Sequence, residues 1–126
     1  MAVLMPARTF TICLVLVVGH TNCGGVDHCL KAVREDILPD PTTPLERWLA
    51  PLTALVRTLD LEGVPDSEAL TIIAKESVRA QVEKVAHTTP VQEAWAGRRK
   101  LWVHGLIYEL ETGTLKNLNF SRGPPA

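Results

Sequence analysis

An unbroken apolar run that stops at a glycine sets most of what this chain can fold into. Leu14-Val15-Leu16-Val17-Val18-Gly19 is followed at once by His20-Thr21-Asn22-Cys23-Gly24-Gly25. A run so rich in valine and leucine reads as a strand buried on both faces, as in parallel sheets, and the strand is expected over residues 11–18. Gly19 to Gly25 is then the turn at its carboxyl end. Beyond the turn, Val26, Cys29, Leu30, Val33 and Ile37 recur at three and four, which predicts a helix to about Ile37. Imidazole and thiolate are donors that zinc prefers, so His20 and Cys23 are candidate metal ligands at the mouth of a strand. Spacing alone is equally compatible with a histidine hydrogen-bonded within its turn and a cysteine that is simply buried. Gly24 and Gly25 let the helix start close behind, and the peptide dipoles of that start favour an anion. His28 and Cys29 extend the pattern to four zinc-type donors. A helix from Val26, however, places Cys29 on the apolar stripe and His28 about 100° away, so Cys29 is expected in the core and His28 at the surface.

The rest of the chain reads as support for this corner. Pro39 and Pro41 end the first helix. Leu45 to about Leu61 is helical by its stripe of Leu45, Trp48, Leu49, Leu52, Leu55, Val56 and Leu59, with Pro51 expected to kink or split it. Asp66 or Ser67 is the expected N-cap of the longest helix, about Glu68 to His87, which buries Leu70, Ile73, Ala74, Val78, Val82 and Val85. A short helix from Pro90 to Ala96 is capped by Gly97. Leu101–Leu110 is a second strand, Glu111 to Thr114 a hairpin turn, Leu115–Phe120 the returning strand and 121–126 a flexible tail. On these strands Trp102 and Tyr108 are expected to pack in the core, and His104 to be a satisfied sheet histidine. His87 is expected to complement a helix dipole, and Glu76 to pair with Arg79. The class is α/β: a mostly parallel sheet flanked by helices, with an antiparallel edge hairpin. A strand as apolar as Leu14–Val18 wants neighbours on both sides, and these residues supply only one.

Composition narrows the partners. The 126 residues carry 13 basic and 14 acidic side chains, a net charge of −1, so neither nucleic acid nor an anionic membrane surface is expected. Arg98-Arg99-Lys100 reads as a solvated loop before a strand. The three cysteines, Cys13, Cys23 and Cys29, are too few and too uneven for a disulfide framework. They fit a reducing compartment, intracellular and cytoplasmic. Phe10 to Val18 also has the character of a secretory h-region, though it falls short of the roughly 20 apolar residues of a membrane span. Cleavage near Gly19 would sever the run from the His20–Cys23 corner, whereas a strand would position that corner, so the strand reading is preferred to a small secreted protein that loses its first 19 residues. There is no Ser-His-Asp arrangement, phosphate-cradling glycine loop or paired-carboxylate motif, and the residues themselves identify no catalytic group.

Val18-Gly19-His20-Thr21-Asn22-Cys23-Gly24-Gly25 resembles the zinc-binding signature of the β-class carbonic anhydrases. Lys75 to Val82 is similar to that family's long helix, Pro90 to Ala94 to its short helix, and Leu101 to Leu110 with Thr112-Gly113 and Leu115 to its last parallel strand and closing hairpin. The resemblance implies a zinc-dependent enzyme for the reversible hydration of carbon dioxide to bicarbonate. His20 and Cys23 would be two of its three protein ligands, Gly24 and Gly25 the glycines of the following turn, and a family-type homo-oligomer possible. The family's first zinc cysteine lies in a C-x-D-S-R motif upstream, whose aspartate and arginine keep the water position on zinc open. These 126 residues contain no such motif. The expectation is therefore a domain at 14–120 that corresponds to the C-terminal part of the family, without its first two strands, preceded by an unmatched lead-in at 1–13. The alternative implied by the same observation is a non-catalytic, truncated homologue that binds zinc weakly or associates with a full-length partner.

Overall fold

A computed structural model describes residues 12–38 and 40–126; expectations that concern residues 1–11 and Pro39 lie outside them. The order of elements is β1 (Leu14–His20), α1 (Gly24–Arg34), α2 (Pro44–Thr58), α3 (Asp66–Ala86), α4 (Thr89–Ala96), β2 (Trp102–Glu109) and β3 (Thr114–Arg122). The sheet order is β1-β2-β3. β1 runs parallel to β2 with Val17 opposite Gly105 and His20 opposite Tyr108. β3 returns antiparallel, with an irregularity between His104 and Leu106. The α/β class and the antiparallel edge hairpin stand as expected.

The helix α3 organises the packing. Its first half joins α1 and α2 through Ile73, Ala69, Leu30, Cys29, Leu49 and Val56. Its middle lies on the sheet, where Val78 and Val82 meet Val103 and Ile107. Its end reaches α4 and the start of β2 through Ala86, Val91, Trp95 and Leu101. Two glycines allow the close approach to the sheet. A Cβ on Gly19 would lie 2.7 Å from Val78 Cγ2, and one on Gly105 would lie 2.9 Å from Val78 Cγ1. Both are closer than real carbon contacts permit, and a branched valine fixed on a helix cannot swing clear.

Several expectations change. β1 is not buried on both faces: Val15 and Val17 face α3, while Leu14, Leu16 and Val18 on the other side are each 49 % exposed. Trp102 and Tyr108 share that bare face, at 46 % and 37 % exposed, rather than the core. The reason is one of layers: among the described residues the helix that packs on the strands is α3, on one side only. Trp102 instead stacks on His104, with ring centroids 6.2 Å apart. His104 is satisfied as expected, through Ser121 Oγ at 2.6 Å from its Nδ1. Pro51 does not split α2, which continues through it to Thr58. Both Arg47 and Pro51 are exposed, so the helix carries the bond that Pro51 cannot make on its solvent side. The N-cap of α3 is Pro65, without a side-chain cap, rather than Asp66 or Ser67. Asp66 is drawn away by Arg34, at 2.7 Å. β3 runs on through Ser121 and Arg122, the first two residues of the expected flexible tail. Arg122 is held there by Glu83, its Nη1 donating to both carboxylate oxygens at 2.7 and 2.8 Å.

Replacing either glycine of the sheet by alanine should overpack the α3 contact. Gly105→Ala is expected to cost about 1–3 kcal/mol, and Gly19→Ala a similar amount, read as a lower urea midpoint with unchanged slope. Gly24→Ala, whose Cβ would meet nothing within 4 Å, is the control and should leave the unfolding free energy within about 0.5 kcal/mol of the parent.

Candidate functional site

His20 is the last residue of β1, and Cys23 is the N-cap of α1. The fold thus delivers both to the carboxyl end of the parallel pair, the position where ligands gather in open sheets. They line one cavity of about 510 Å³, walled by the first half of α3 and by the β2–β3 hairpin. The same two residues also line a groove of about 610 Å³ between β1, α2 and α3. Gly24 and Gly25 open α1, where Cys23 makes no side-chain cap. A Cβ on Gly25 would come 3.4 Å from Leu49 Cδ2 and 3.8 Å from Cys23 Sγ, so this glycine keeps α2 close behind the thiol.

The turn between the two candidate donors is tied to the hairpin. Thr21 N–H donates to Tyr108 O at 3.0 Å. The Thr21 hydroxyl donates to Glu111 Oε2 at 2.9 Å and accepts from Leu110 N–H at 3.0 Å. Asn22, at φ 51°, donates its amide to Glu111 Oε1 at 2.5 Å. Glu111 thereby accepts from two successive residues of the turn. Its own backbone N–H, then the Thr21 hydroxyl and the Asn22 amide, hold its carboxyl below the usual glutamate range. Nearby, Lys116 pairs with Glu109 at 2.6 Å and lowers that carboxyl as well.

His28 and Cys29 do not join the corner. His28 Nε2 meets Glu46 Oε1 at 2.6 Å and links α1 to α2 at the surface. Cys29 is fully buried, and burial pushes its thiol above the ordinary range against the weaker effect of a Thr53 hydrogen bond. His87 and the Glu76–Arg79 pair take the roles expected, the former as the C-cap of α3 with its Nδ1 donating to Glu83 O.

The donor chemistry of His20 and Cys23 suits zinc, but the number falls short. No group of three His, Cys, Asp or Glu side chains that could hold a metal occurs among the described residues. A zinc site needs at least three protein donors, so the described residues do not complete one. The sequence also concealed a part of this corner. In the sequence Glu111 is simply the first residue of the hairpin turn, and Thr21 and Asn22 belong to the turn after β1. Ninety positions separate Thr21 from Glu111, and no local period or spacing reports such a contact.

Comparison with known proteins places the chain. Residues 2–115 match the family model described as carbonic anhydrase, a match that begins within the lead-in at 1–13. A carbonic anhydrase of Emericella nidulans is 29 % identical over 108 residues, covering 83 % of this chain and 44 % of the relative. The Coccomyxa β-carbonic anhydrase, solved in complex with acetazolamide, is similar at TM-score 0.73 and 31 % identity, over 89 % of this chain and 49 % of that one. A tetrameric β-carbonic anhydrase of Sordaria macrospora gives TM-score 0.74 at 25 % identity, over 92 % and 57 %. The chain spans about half the length of these relatives.

Two measurements check the geometry of this corner. Under native conditions a thiol reagent should modify exposed Cys13 and half-buried Cys23 but spare Cys29, which reacts only on unfolding. Carbon-13 titration should give Glu111 a midpoint below the roughly 4.3 of a free glutamate, and Thr21→Val should move it upward. A carboxyl whose folded pKa is depressed contributes stability above the unfolded value, and that contribution is lost as pH falls through the folded value.

Proposed function

Because this chain belongs to the β-carbonic anhydrase family, we propose that His20 and Cys23 are its donors to a zinc centre for the reversible hydration of carbon dioxide to bicarbonate. The observation that carries this reading is their joint position on one cavity at the end of β1. His20 Nδ1 lies 2.8 Å from Thr21 O, which suits a ligand imidazole held by its second nitrogen. The third protein donor has to come from outside the described residues. Gly24 and Gly25, at the start of α1, are the proposed backbone for an anion beside the metal. Three free cysteines fit a reducing, cytoplasmic setting. No described helix is long and apolar enough to cross a membrane.

A second reading is favoured by the incomplete donor set together with the uncovered sheet. It holds that the chain is a non-catalytic homologue that binds zinc weakly, or associates with a second copy or a longer homologue. Among the described residues β1 has one neighbour, so its other edge offers free backbone groups beside an apolar face.

Metal content and carbon dioxide hydration of the purified 126-residue chain separate the two. Near-stoichiometric zinc with measurable hydration supports the enzyme. Sub-stoichiometric zinc without hydration supports the second reading. Under either, His20→Ala and Cys23→Ser should weaken zinc binding by at least about tenfold, since even loss of an outer partner of a metal ligand costs that much. Unchanged binding in both variants would remove these residues from the site.

A further inference from the structure

We propose that Glu111 is a positioning residue: acting through Thr21, it fixes the His20 imidazole in the tautomer that carries its hydrogen on Nδ1 and its lone pair on Nε2. A carbonyl oxygen can only accept, so the 2.8 Å contact between His20 Nδ1 and Thr21 O places the hydrogen on Nδ1. In a neutral imidazole the other nitrogen, Nε2, then carries the lone pair. The tautomer therefore depends on where the Thr21 carbonyl points.

Thr21 is clamped on three sides by the hairpin. Its N–H reaches Tyr108 O at 3.0 Å, its hydroxyl oxygen accepts from Leu110 N–H at 3.0 Å, and its hydroxyl hydrogen goes to Glu111 Oε2 at 2.9 Å. The last contact orients the second. With the hydrogen committed to the carboxylate, the lone pairs of the hydroxyl oxygen are left for Leu110 N–H. The second oxygen of Glu111 holds Asn22 in its left-handed conformation, which sets the path of the chain from His20 to Cys23. A carboxylate suits this place because it offers two acceptors and no donor, and accepts more strongly than a neutral group. Glu111 touches neither His20 nor Cys23 through any of these hydrogen bonds.

From the reading above, the proposal takes only that His20 is a donor. It is tested on the metal-free protein by a property of the imidazole itself, so its failure leaves the zinc reading standing, and a failure to bind zinc leaves this one standing. Nitrogen-15 spectra of the His20 ring at about pH 8, where a free imidazole is neutral, report which nitrogen carries the hydrogen. The parent should show Nδ1–H. Glu111→Ala and Thr21→Val should both shift the ring toward a tautomer mixture. Both should also lower the exchange protection of the Leu110 amide about tenfold, as expected for loss of a charge-assisted hydrogen bond, while Val82 and Val103 keep their shifts. Glu111→Gln retains an acceptor oxygen and Thr21→Ser retains the hydroxyl, so each should restore the parent tautomer. If Glu111→Ala does not fold, the Thr21→Val and Thr21→Ser pair carries the test. An unchanged His20 tautomer in either folded loss variant would overturn the proposal. Equal effects of Glu111→Gln and Glu111→Ala, or of Thr21→Ser and Thr21→Val, would overturn it too.

Discussion

The seat of Val78 over two glycines is the contact on which the rest depends. Gly19 lies on β1 and Gly105 on β2, and neither has room for a Cβ beneath the valine. Their absence of side chain lets α3 settle against the parallel pair, and the contact continues through Val82, Val103 and Ile107. Because Gly19 directly precedes His20, the same contact fixes the end of β1 at which His20 stands. Packing and site share one residue boundary. A small change in the depth of α3 would move the corner with it.

From that fixed point the corner is built by unlike forces. The helix start at Gly24 and the stem of β1 set where Cys23 and His20 lie. The turn between them is polar and exposed, and depends on hydrogen bonds to the hairpin rather than on burial. Hydrogen bonds of this kind contribute modestly to stability and strongly to geometry. The opposite face of the sheet has no such support. Leu14, Leu16, Val18, Trp102 and Tyr108 stand there half exposed, which is the pattern of a surface that another layer covers.

Much of the fold was legible because it is written in local periods. The stripes of α1, α2 and α3, the alternation of β2 and the Thr112-Gly113 turn each declare themselves within a dozen residues. Misreadings arose where a distant partner overrode a local preference. Asp66 is a good cap by type, yet Arg34 from another helix claims its carboxylate. Ser121 and Arg122 resemble a loose tail, yet His104 and Glu83 hold them in the sheet. Trp102 and Tyr108 carry the composition of core residues, but burial needs a covering layer, and none lies on that face among the described residues.

By itself the sequence carried the α/β class, the family resemblance and the choice of His20 and Cys23 as candidate donors. These rest on residue types at short spacing: a strand ending in glycine, then imidazole and thiolate three apart, then the glycines of a helix start. Only the tertiary structure decided which face of the sheet is packed, why Gly19 and Gly105 must be glycine, and that Glu111 reaches across ninety positions to Thr21. The physical reason is the range of the interactions. Secondary structure and donor chemistry follow from neighbours along the chain. Close packing and hydrogen bonds between turns depend on groups that become neighbours only once the chain has folded.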